Sequence, residues 1–364
     1  MCADHFNRRP QRRPVQLSAR PQTGVSLVEV MVGMVVALII SLAASGSASL
    51  FGASQRQGVG AAGATVNAST ALAAIKGDVA SAGLGFFGDS NYQCHSLNLG
   101  VGTTAVLNGA SFAPVRVTTG SGNKDQLDVL YASNVDSGAN VLIKGTSDSS
   151  SARLMSRMPV AVGDAVLLAP ATPGTACIVR SVTTVTAATN DQPLTLAFAN
   201  TGHHNAATFS NVPTYADRDR VALLGTLEWS RYTVSGTELR LQRPLASGSA
   251  ADPVTLVRNV QAFRVQYGVV GTGAGDSTLT GWQDATGSTW ASVSGTAVDR
   301  VRALRIGLVT RSEQREKPNT SGTCVASAAK PVLFGATVEP DVTDWACYRY
   351  RVATVVVPLR NAAW

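Results

Sequence analysis

The sequence lacks the patterns that mark common catalytic sites. No GxSxG elbow, HExxH zinc motif, P-loop or GxGxxG dinucleotide fingerprint occurs among its 364 residues. Histidine is scarce, with four residues, and only His203 and His204 are adjacent. These absences argue against serine hydrolases, zinc peptidases and nucleotide-dependent enzymes. We therefore expect a protein that is not an enzyme and that needs no cofactor.

Charge is also scarce. Charged residues make up 15% of the chain, and no run of lysine and arginine with interleaved aromatics stands out. Five of the 30 basic residues but one of the 23 acidic residues precede Gly24, so the rest of the chain is close to balanced. We predict no specific nucleic-acid partner. Abundant Gly, Ser, Thr, Ala and Val indicates a β-rich protein outside the cytoplasm.

Two segments have weak features of metal sites, and we predict no metal at either. Adjacent residues such as His203 and His204 point to opposite faces of a strand, and we expect them in an exposed polar loop. The glycine-rich segment 271–276 resembles calcium-binding loops, which need several closely spaced oxygen ligands. Only Asp276 and, further on, Asp284 are acidic there.

What the chain does contain is an apolar segment near its start. Residues 30–40 carry no polar side chain, and residues 25–44 include only Ser26, Glu29 and Ser41 as polar residues. A helix of that length rises ~1.5 Å per residue and spans the ~30 Å hydrocarbon core of a bilayer. The preceding segment has five arginines against Asp4, and positive segments stay on the cytoplasmic side. These features predict a single-pass membrane anchor.

Glu29 separates three interpretations of this anchor. A secretory signal peptide cut after small residues such as those at 45–48, or an anchor that is never cut, would each explain the apolar run. A carboxylate at the mouth of such a segment is expensive unless it is paired, and it helps neither insertion nor signal-peptide cleavage. Its simplest structural role is that of a helix-start acid favoured by the macrodipole. We favour a third interpretation, in which the chain uses Glu29.

The order of Gly24, an apolar stretch and Glu29 as fifth residue after the glycine resembles the cleavage and assembly signal of type IV prepilins. The resemblance implies that prepilin peptidase cuts between Gly24 and Val25 and then N-methylates Val25. It also implies that Glu29 pairs with the terminal amine of a neighbouring subunit or with its own. The leader, residues 1–24, is longer than usual, and Val25 stands where phenylalanine is usual.

Later segments resemble PilW-type minor pilins and follow the order of that family. They are residues 78–88, Gly163-Asp164 with Cys177, residues 229–232 with 239–243, residues 256–269, and the terminal strand that ends in Arg360-Asn361. The resemblance implies a structural protein that assembles or primes a type IV pilus together with other major and minor pilins. It also implies residence in the inner membrane, with the head in the periplasm, before incorporation into the pilus at the cell surface.

Two alternatives stay open at this point. A type II secretion pseudopilin shares the signal at the front of the chain, although such proteins are usually shorter. A pilus-tip adhesin or binding module carried on the same anchor is the other alternative. An adhesin should show an exposed pocket or a large apolar patch on its β domain.

Cysteine use supports the same compartment. Cys2 lies in the leader, and an even number remains at wide spacing without a CxxC motif: Cys94, Cys177, Cys324 and Cys347. We expect two disulfides, although four reduced thiols would suit a cytoplasmic protein. Three connectivities are possible, and we favour the pairs nearest in sequence, Cys94–Cys177 and Cys324–Cys347.

The expected fold is α+β, with a long N-terminal hydrophobic helix (the pilin stem) followed by a large β-rich globular head. We predict a leader at 1–24, a stem at 25–83 and a head at 84–364. The head would consist of two subdomains, at about 84–210 and 211–364. The head-facing side of the stem should carry Leu72, Ile75, Val79, Ala82 and Phe86, which follow helical spacing. Glycines at 58, 60 and 63 predict a kinked or locally melted stem. The predicted strands are 127–131, 165–168, 177–182, 229–234, 238–242, 263–267, 301–310 and 348–357.

Overall fold

The computed structural model describes residues 24, 26–86, 94–133, 139–171, 174–187, 189, 194–246, 252–272 and 278–362. The leader up to residue 23, Val25 and Asp276 lie outside these ranges, so their predictions stay predictions. The chain divides into two compact units, Met1–Arg56 and Gln57–Trp364.

One long helix, α1 (Leu27–Ser81), begins in the first unit and ends in the second. The carbonyl of Ser26 accepts hydrogen bonds from the backbone N–H groups of Glu29 and Val30, at 2.9 and 3.2 Å, and so opens the first turn. The structure describes α1 as helix throughout, so the stem is not locally melted at the glycines around residue 60, and the kink stays a prediction. Each glycine costs about 1 kcal/mol of helix propensity, and the alanines that surround them are the best helix formers.

From Leu27 to Ala48, α1 is mostly apolar and its side chains are exposed. Among the described residues it provides the one segment that is long and apolar enough to cross a membrane, Leu27–Ala48, with a mean hydropathy of 2.5 and no buried residue. Exposure of apolar side chains on every side is what a lipid environment requires of a helix. The anchor predicted from the sequence therefore has a matching helix.

In the second unit, the end of α1 is buried along one face. Leu72, Ile75 and Val79 are at most 5% exposed, and Ala82 and Phe86 are buried in the turn that follows, as their spacing predicts. Gly83 and Gly85 have φ angles of 78° and 85°, which side chains rarely adopt, and this turn ends the helix as predicted.

Twenty strands follow in the described residues, with a short helix, α2 (Gly287–Trp290), between the sixteenth and seventeenth. The strands are β1 (Ser96–Val101), β2 (Thr104–Ser111), β3 (Val115–Thr118), β4 (Gln126–Ala132), β5 (Asn140–Leu142), β6 (Ser151–Leu154), β7 (Ala165–Ala169), β8 (Cys177–Ser181), β9 (Thr184–Thr186), β10 (Leu194–Ala197), β11 (Arg220–Gly225), β12 (Leu227–Ser235), β13 (Glu238–Gln242), β14 (Val254–Val257), β15 (Val260–Val270), β16 (Leu279–Asp284), β17 (Val301–Arg311), β18 (Val332–Leu333), β19 (Ala336–Thr337) and β20 (Tyr350–Pro358). The expected α+β fold, a long apolar helix followed by a β-rich head, is confirmed.

The strands form three larger sheets and two small ones. Their orders are β2-β1-β8-β7-β11-β5, β14-β13-β12-β4-β3 and β16-β15-β17-β20, with β6-β10-β9 and β18-β19 as the small sheets. In the six-stranded sheet, β1 and β8 pair in parallel. The other strand pairs that the structure describes are antiparallel. The predicted subdomains at about 84–210 and 211–364 stay a prediction. Strands from both ranges share the six-stranded and the five-stranded sheets.

Two hydrophobic clusters fill most of the head. The larger one combines the end of α1 with residues of the six-stranded, five-stranded and four-stranded sheets, and includes Ile75, Leu167, Leu127, Phe263 and Ile306. The second lies between the six-stranded and three-stranded sheets and includes Leu196 and Tyr215. The end of the helix is therefore part of the main core of the head.

Candidate functional sites: the processing segment and the end of the helix

Gly24 and Glu29, the described residues of the predicted processing signal, are both exposed. A Cβ atom placed on Gly24 would meet no atom of the described residues within 4 Å, and Gly24 does not have a positive φ. Packing against the described part of the chain therefore does not require a glycine at this position. Glu29 lies in the first turn of α1 and is exposed. Among the described residues no side chain pairs with its carboxylate, so the fold of this chain leaves Glu29 available to another molecule.

Asp78, near the end of α1, is held by two tyrosines of the five-stranded sheet. Tyr131 on β4 donates to its Oδ1 at 3.0 Å, and Tyr232 on β12 donates to its Oδ2 at 2.6 Å. Burial raises the pKa of both tyrosines, and the Asp78 charge raises each further. Both hydroxyls therefore stay protonated and act as donors at neutral pH.

The turn after α1 is hydrogen-bonded to the head on two sides. The N–H of Gly83 donates to the carbonyl of Leu130 at 3.0 Å, and Leu84 accepts from Ala132 at 3.1 Å. From the other end of the chain, the Asn361 amide donates to the carbonyls of Ser81 and Ala82, both at 3.1 Å. The last carbonyls of a helix have no partner within the helix. Here the Ser81 carbonyl accepts from Leu84 N–H at 3.1 Å and from Asn361, so Asn361 connects a distant part of the chain to the end of the helix.

Two protein-family models match this chain, one at its N-terminal segment and one in the second half of the head. The model for the prokaryotic N-terminal methylation motif matches residues 19–45, which include Gly24 and Glu29. The model for the type IV pilus-assembly protein W matches residues 230–361, which include Tyr232 and Asn361. The two matches together indicate a type IV pilus minor pilin of the PilW type. The methylation motif implies processing by prepilin peptidase and assembly with other pilins.

Among solved structures, the minor pilin is similar to the type IV-like pilin TTHA1219 from Thermus thermophilus. The two are 11% identical, with a TM-score of 0.31 over 69% of this chain and 87% of that one. No curated protein sequence matches the minor pilin.

The four cysteines outside the leader form two disulfides in the structure. Cys94 is bonded to Cys177, with Cα atoms 5.8 Å apart, and Cys324 to Cys347, with Cα atoms 4.8 Å apart. The first bond joins the entry of β1 to the start of β8. The second closes the excursion between β17 and β20. This is the connectivity between nearest neighbours in the sequence.

The segment around His204 differs from its prediction, because the exposed polar loop is in fact largely buried. His203 is exposed, but His204 and Asn205 are each 5% exposed. His204 Nδ1 lies 2.7 Å from the carbonyl of Gly100, and Arg180 donates to the carbonyl of His204 at 2.9 Å. Burial lowers the pKa of His204 to about 4, so the ring is neutral at physiological pH. The polar sequence around His204 does not indicate that its groups form hydrogen bonds with Gly100 and Arg180 inside the head.

Metal binding finds no support in the parts of the chain that the structure describes. No group of three or more His, Cys, Asp or Glu side chains is placed there to hold an ion. Asp284, which the sequence singled out, accepts hydrogen bonds from Arg264 at 2.7 Å and from Gln266 at 2.9 Å. In the structure, Asp284 is therefore the acidic partner of Arg264 in an ion-pair network.

Proposed function

We propose that the minor pilin is cut between Gly24 and Val25, is methylated at Val25, and then assembles into or primes a type IV pilus without any catalysis of its own. The methylation motif matched at residues 19–45 supports this proposal, because the match spans both Gly24 and the beginning of a helix of membrane length at Leu27. The open surroundings of Gly24 support it as well. A glycine that the fold does not require fits a peptidase that needs no side chain before the scissile bond.

Before assembly, we place the anchor in the inner membrane and the head in the periplasm. The apolar helix is the segment suited to the bilayer, and the arginine-rich leader favours the cytoplasmic side. Two disulfides in the head fit an oxidising compartment. The same chain then moves to the pilus at the cell surface.

Glu29 is the residue that we assign to assembly. Its carboxylate is exposed in the first turn of α1, and the described residues offer it no partner. The methylated amine of Val25, from the same or a neighbouring subunit, carries the opposite charge. A buried ion pair of this kind fixes register more than it adds net stability. Its loss would therefore affect docking of the subunit and leave the head folded.

Complementation of a deletion strain tests this assignment. Glu29→Leu should leave cleavage and both disulfides intact but lower piliation and incorporation into the fibre. Glu29→Asp keeps the charge and should retain most of the incorporation, and Ser26→Ala is the control for an effect at the helix start. Normal piliation with Glu29→Leu would show that Glu29 is only a helix-start acid. A loss of protein secretion in place of piliation would favour the type II secretion pseudopilin.

A groove on the head favours an adhesin or binding module as the second candidate. It has a volume of about 450 Å³ and lies between the outer face of β3, β4 and β12 and the β2 segment. In the sheet register, Arg116 and Arg231 flank Asp128 on neighbouring strands, and Trp229 donates to Asp128 at 2.9 Å. If the groove binds a receptor, Arg116→Ala should lower adherence and leave piliation unchanged. Unchanged adherence would remove this candidate.

A further inference from the structure

The outer edge of β20 is a long strand edge whose central residues, 352–357, lack the usual protection. The strand is last in the order β16-β15-β17-β20 and pairs only with β17. With nine residues it is the longest edge strand that the structure describes. Proteins blunt such edges with short strands, charges, prolines or bulges, because an open edge pairs readily with another strand. The β17–β20 register has no bulge, and residues 352–357 contain neither charge nor proline.

The register shows which backbone groups of β20 face outward. Ser312 N donates to the Arg349 carbonyl and Leu359 N donates to the Arg302 carbonyl, both at 2.8 Å. In an antiparallel ladder these hydrogen-bonded pairs alternate, so the odd-numbered residues of β20 bond to β17. The even-numbered residues, 350 to 358, therefore turn their backbone groups away from the sheet. Pro358, which has no N–H, falls in this outward set, where β17 loses no bond.

The side chains of this outward set are mostly exposed. Val352 is 46% and Val356 is 50% exposed, and Thr354 between them is exposed too. None of the backbone hydrogen bonds outside the regular ladders, within the described residues, involves the outward groups of β20. The edge thus combines free donors and acceptors with two exposed valines, the combination that added strands use.

The pattern along this edge is complementary to itself. A two-fold axis at Thr354 places Thr354 opposite the Thr354 of a second copy, and Val352 opposite its Val356. Tyr350 then lies opposite Pro358, whose carbonyl still accepts a hydrogen bond. All of these are outward-facing residues, so each can form a hydrogen-bonded pair. Arg351 lies opposite Val357, so no like charges meet across the axis.

We propose that a second copy of this chain docks on β20, and that the two four-stranded sheets join into one continuous sheet. The contact is separate from the assembly role of Glu29. Two strands could adopt several registers, and this is the one that gives all five outward residues of β20 an outward partner and pairs both outward valines with a valine. Cysteine cross-linking distinguishes it from a shifted register.

The test uses the full chain in membranes, with Cys2→Ser as background so that the introduced cysteine is the one free thiol. Cα atoms of a hydrogen-bonded pair lie ~5.5 Å apart, within disulfide range. Mild oxidation of Thr354→Cys should therefore give a disulfide dimer on a non-reducing gel. Val352→Cys and Val356→Cys should each stay monomeric, because equivalent positions lie ~14 Å apart across the axis. Expressed together, these two variants should cross-link.

Thr354→Pro then tests whether the strand edge itself makes the contact. The substitution removes two outward N–H donors from the symmetric pair but no donor to β17. It should lower the yield of the Val352→Cys with Val356→Cys dimer at least about tenfold. Protection of the native cysteines from thiol reagents checks that the variant folds. An undiminished yield, cross-linking of Val352→Cys with itself, or mixed disulfides to a different pilin would each overturn the proposal.

Discussion

The hydroxyl of Tyr232 on β12 lies 2.6 Å from the Asp78 carboxylate on α1 and donates a hydrogen bond to it across 154 residues of sequence. Tyr131 donates to the other carboxylate oxygen. Both tyrosines belong to the sheet that also bonds the turn after the helix. The end of the helix is therefore bound to the head by a polar contact as well as by apolar packing.

Tyr232→Phe should destabilise the head by about 1–3 kcal/mol, because it leaves one Asp78 oxygen without its buried partner. Tyr131→Phe removes the longer bond of the less buried tyrosine and should have a smaller effect. Denaturant unfolding of the full chain in detergent measures both. Equal stability of wild type and Tyr232→Phe would show that the contact contributes nothing to the attachment of the helix.

The ion pair between Arg264 and Asp125 should be more important to stability than the exposed pairs. Asp125 is 2% exposed and accepts from Val265 N at 3.0 Å and from Arg264 at 3.2 Å. Burial raises the pKa of Asp125 even though Arg264 opposes the shift. Arg264→Met should cost about 3–5 kcal/mol, since it leaves a buried carboxyl without its partner.

The matched control is Arg315→Met at the exposed pair with Asp344, where the expected loss is much smaller because solvent screens the pair. Thermal unfolding at pH 7 compares the two variants. A double variant, Arg264→Met with Asp125→Asn, should recover part of the loss because the uncompensated charge is gone. Similar losses for Arg264→Met and Arg315→Met would contradict the importance given to the buried pair.

Stability should fall as the pH drops from about 6.5 to about 4, in part because of His204. Burial keeps its pKa near 4 in the folded state, whereas the unfolded side chain titrates near 6.5. Between those values the unfolded state binds more protons, so stability is present above pH 6.5 and lost below it. The full loss is on the order of 3 kcal/mol.

His204→Gln separates this contribution from that of the carboxylates. The glutamine amide can still donate to the Gly100 carbonyl but does not titrate. The difference in unfolding free energy between wild type and variant should therefore change with pH across this window. A difference that stays constant from pH 4 to pH 7 would mean that His204 does not control the acid sensitivity.

The sequence predicts those helices and strands whose residue types and spacing directly reflect which of their side chains are buried. The β-rich residues 229–234 and 238–242 predict two strands, and the antiparallel pair β12 and β13 confirms them. The buried face of α1 followed from helical spacing. Strand β1 was missed because it is buried on both faces and contains Asn98, which donates to Asn211 and accepts from Gly109. Alternation and polarity gave no signal there.

Contacts between residues that are far apart in the chain could not be predicted from the sequence either. Asp78 and Asn361 are ordinary polar residues by composition, and their roles depend on tyrosines and carbonyls that lie 53 to 280 residues away. The buried setting of His204 likewise depends on Arg180 and on Gly100 of β1. Local patterns predict elements, whereas these sites exist only after the sheets have formed.

The most direct test of the account is the N-terminal residue of the protein recovered from membranes or pili. The account predicts that sequencing begins at Val25, that mass spectrometry finds this residue methylated, and that Gly24→Val blocks processing. A chain that begins near residue 49 would identify an ordinary signal peptide. A chain that keeps its leader in a strain with active prepilin peptidase would equally contradict the assignment of Gly24 and Val25 as the processing site.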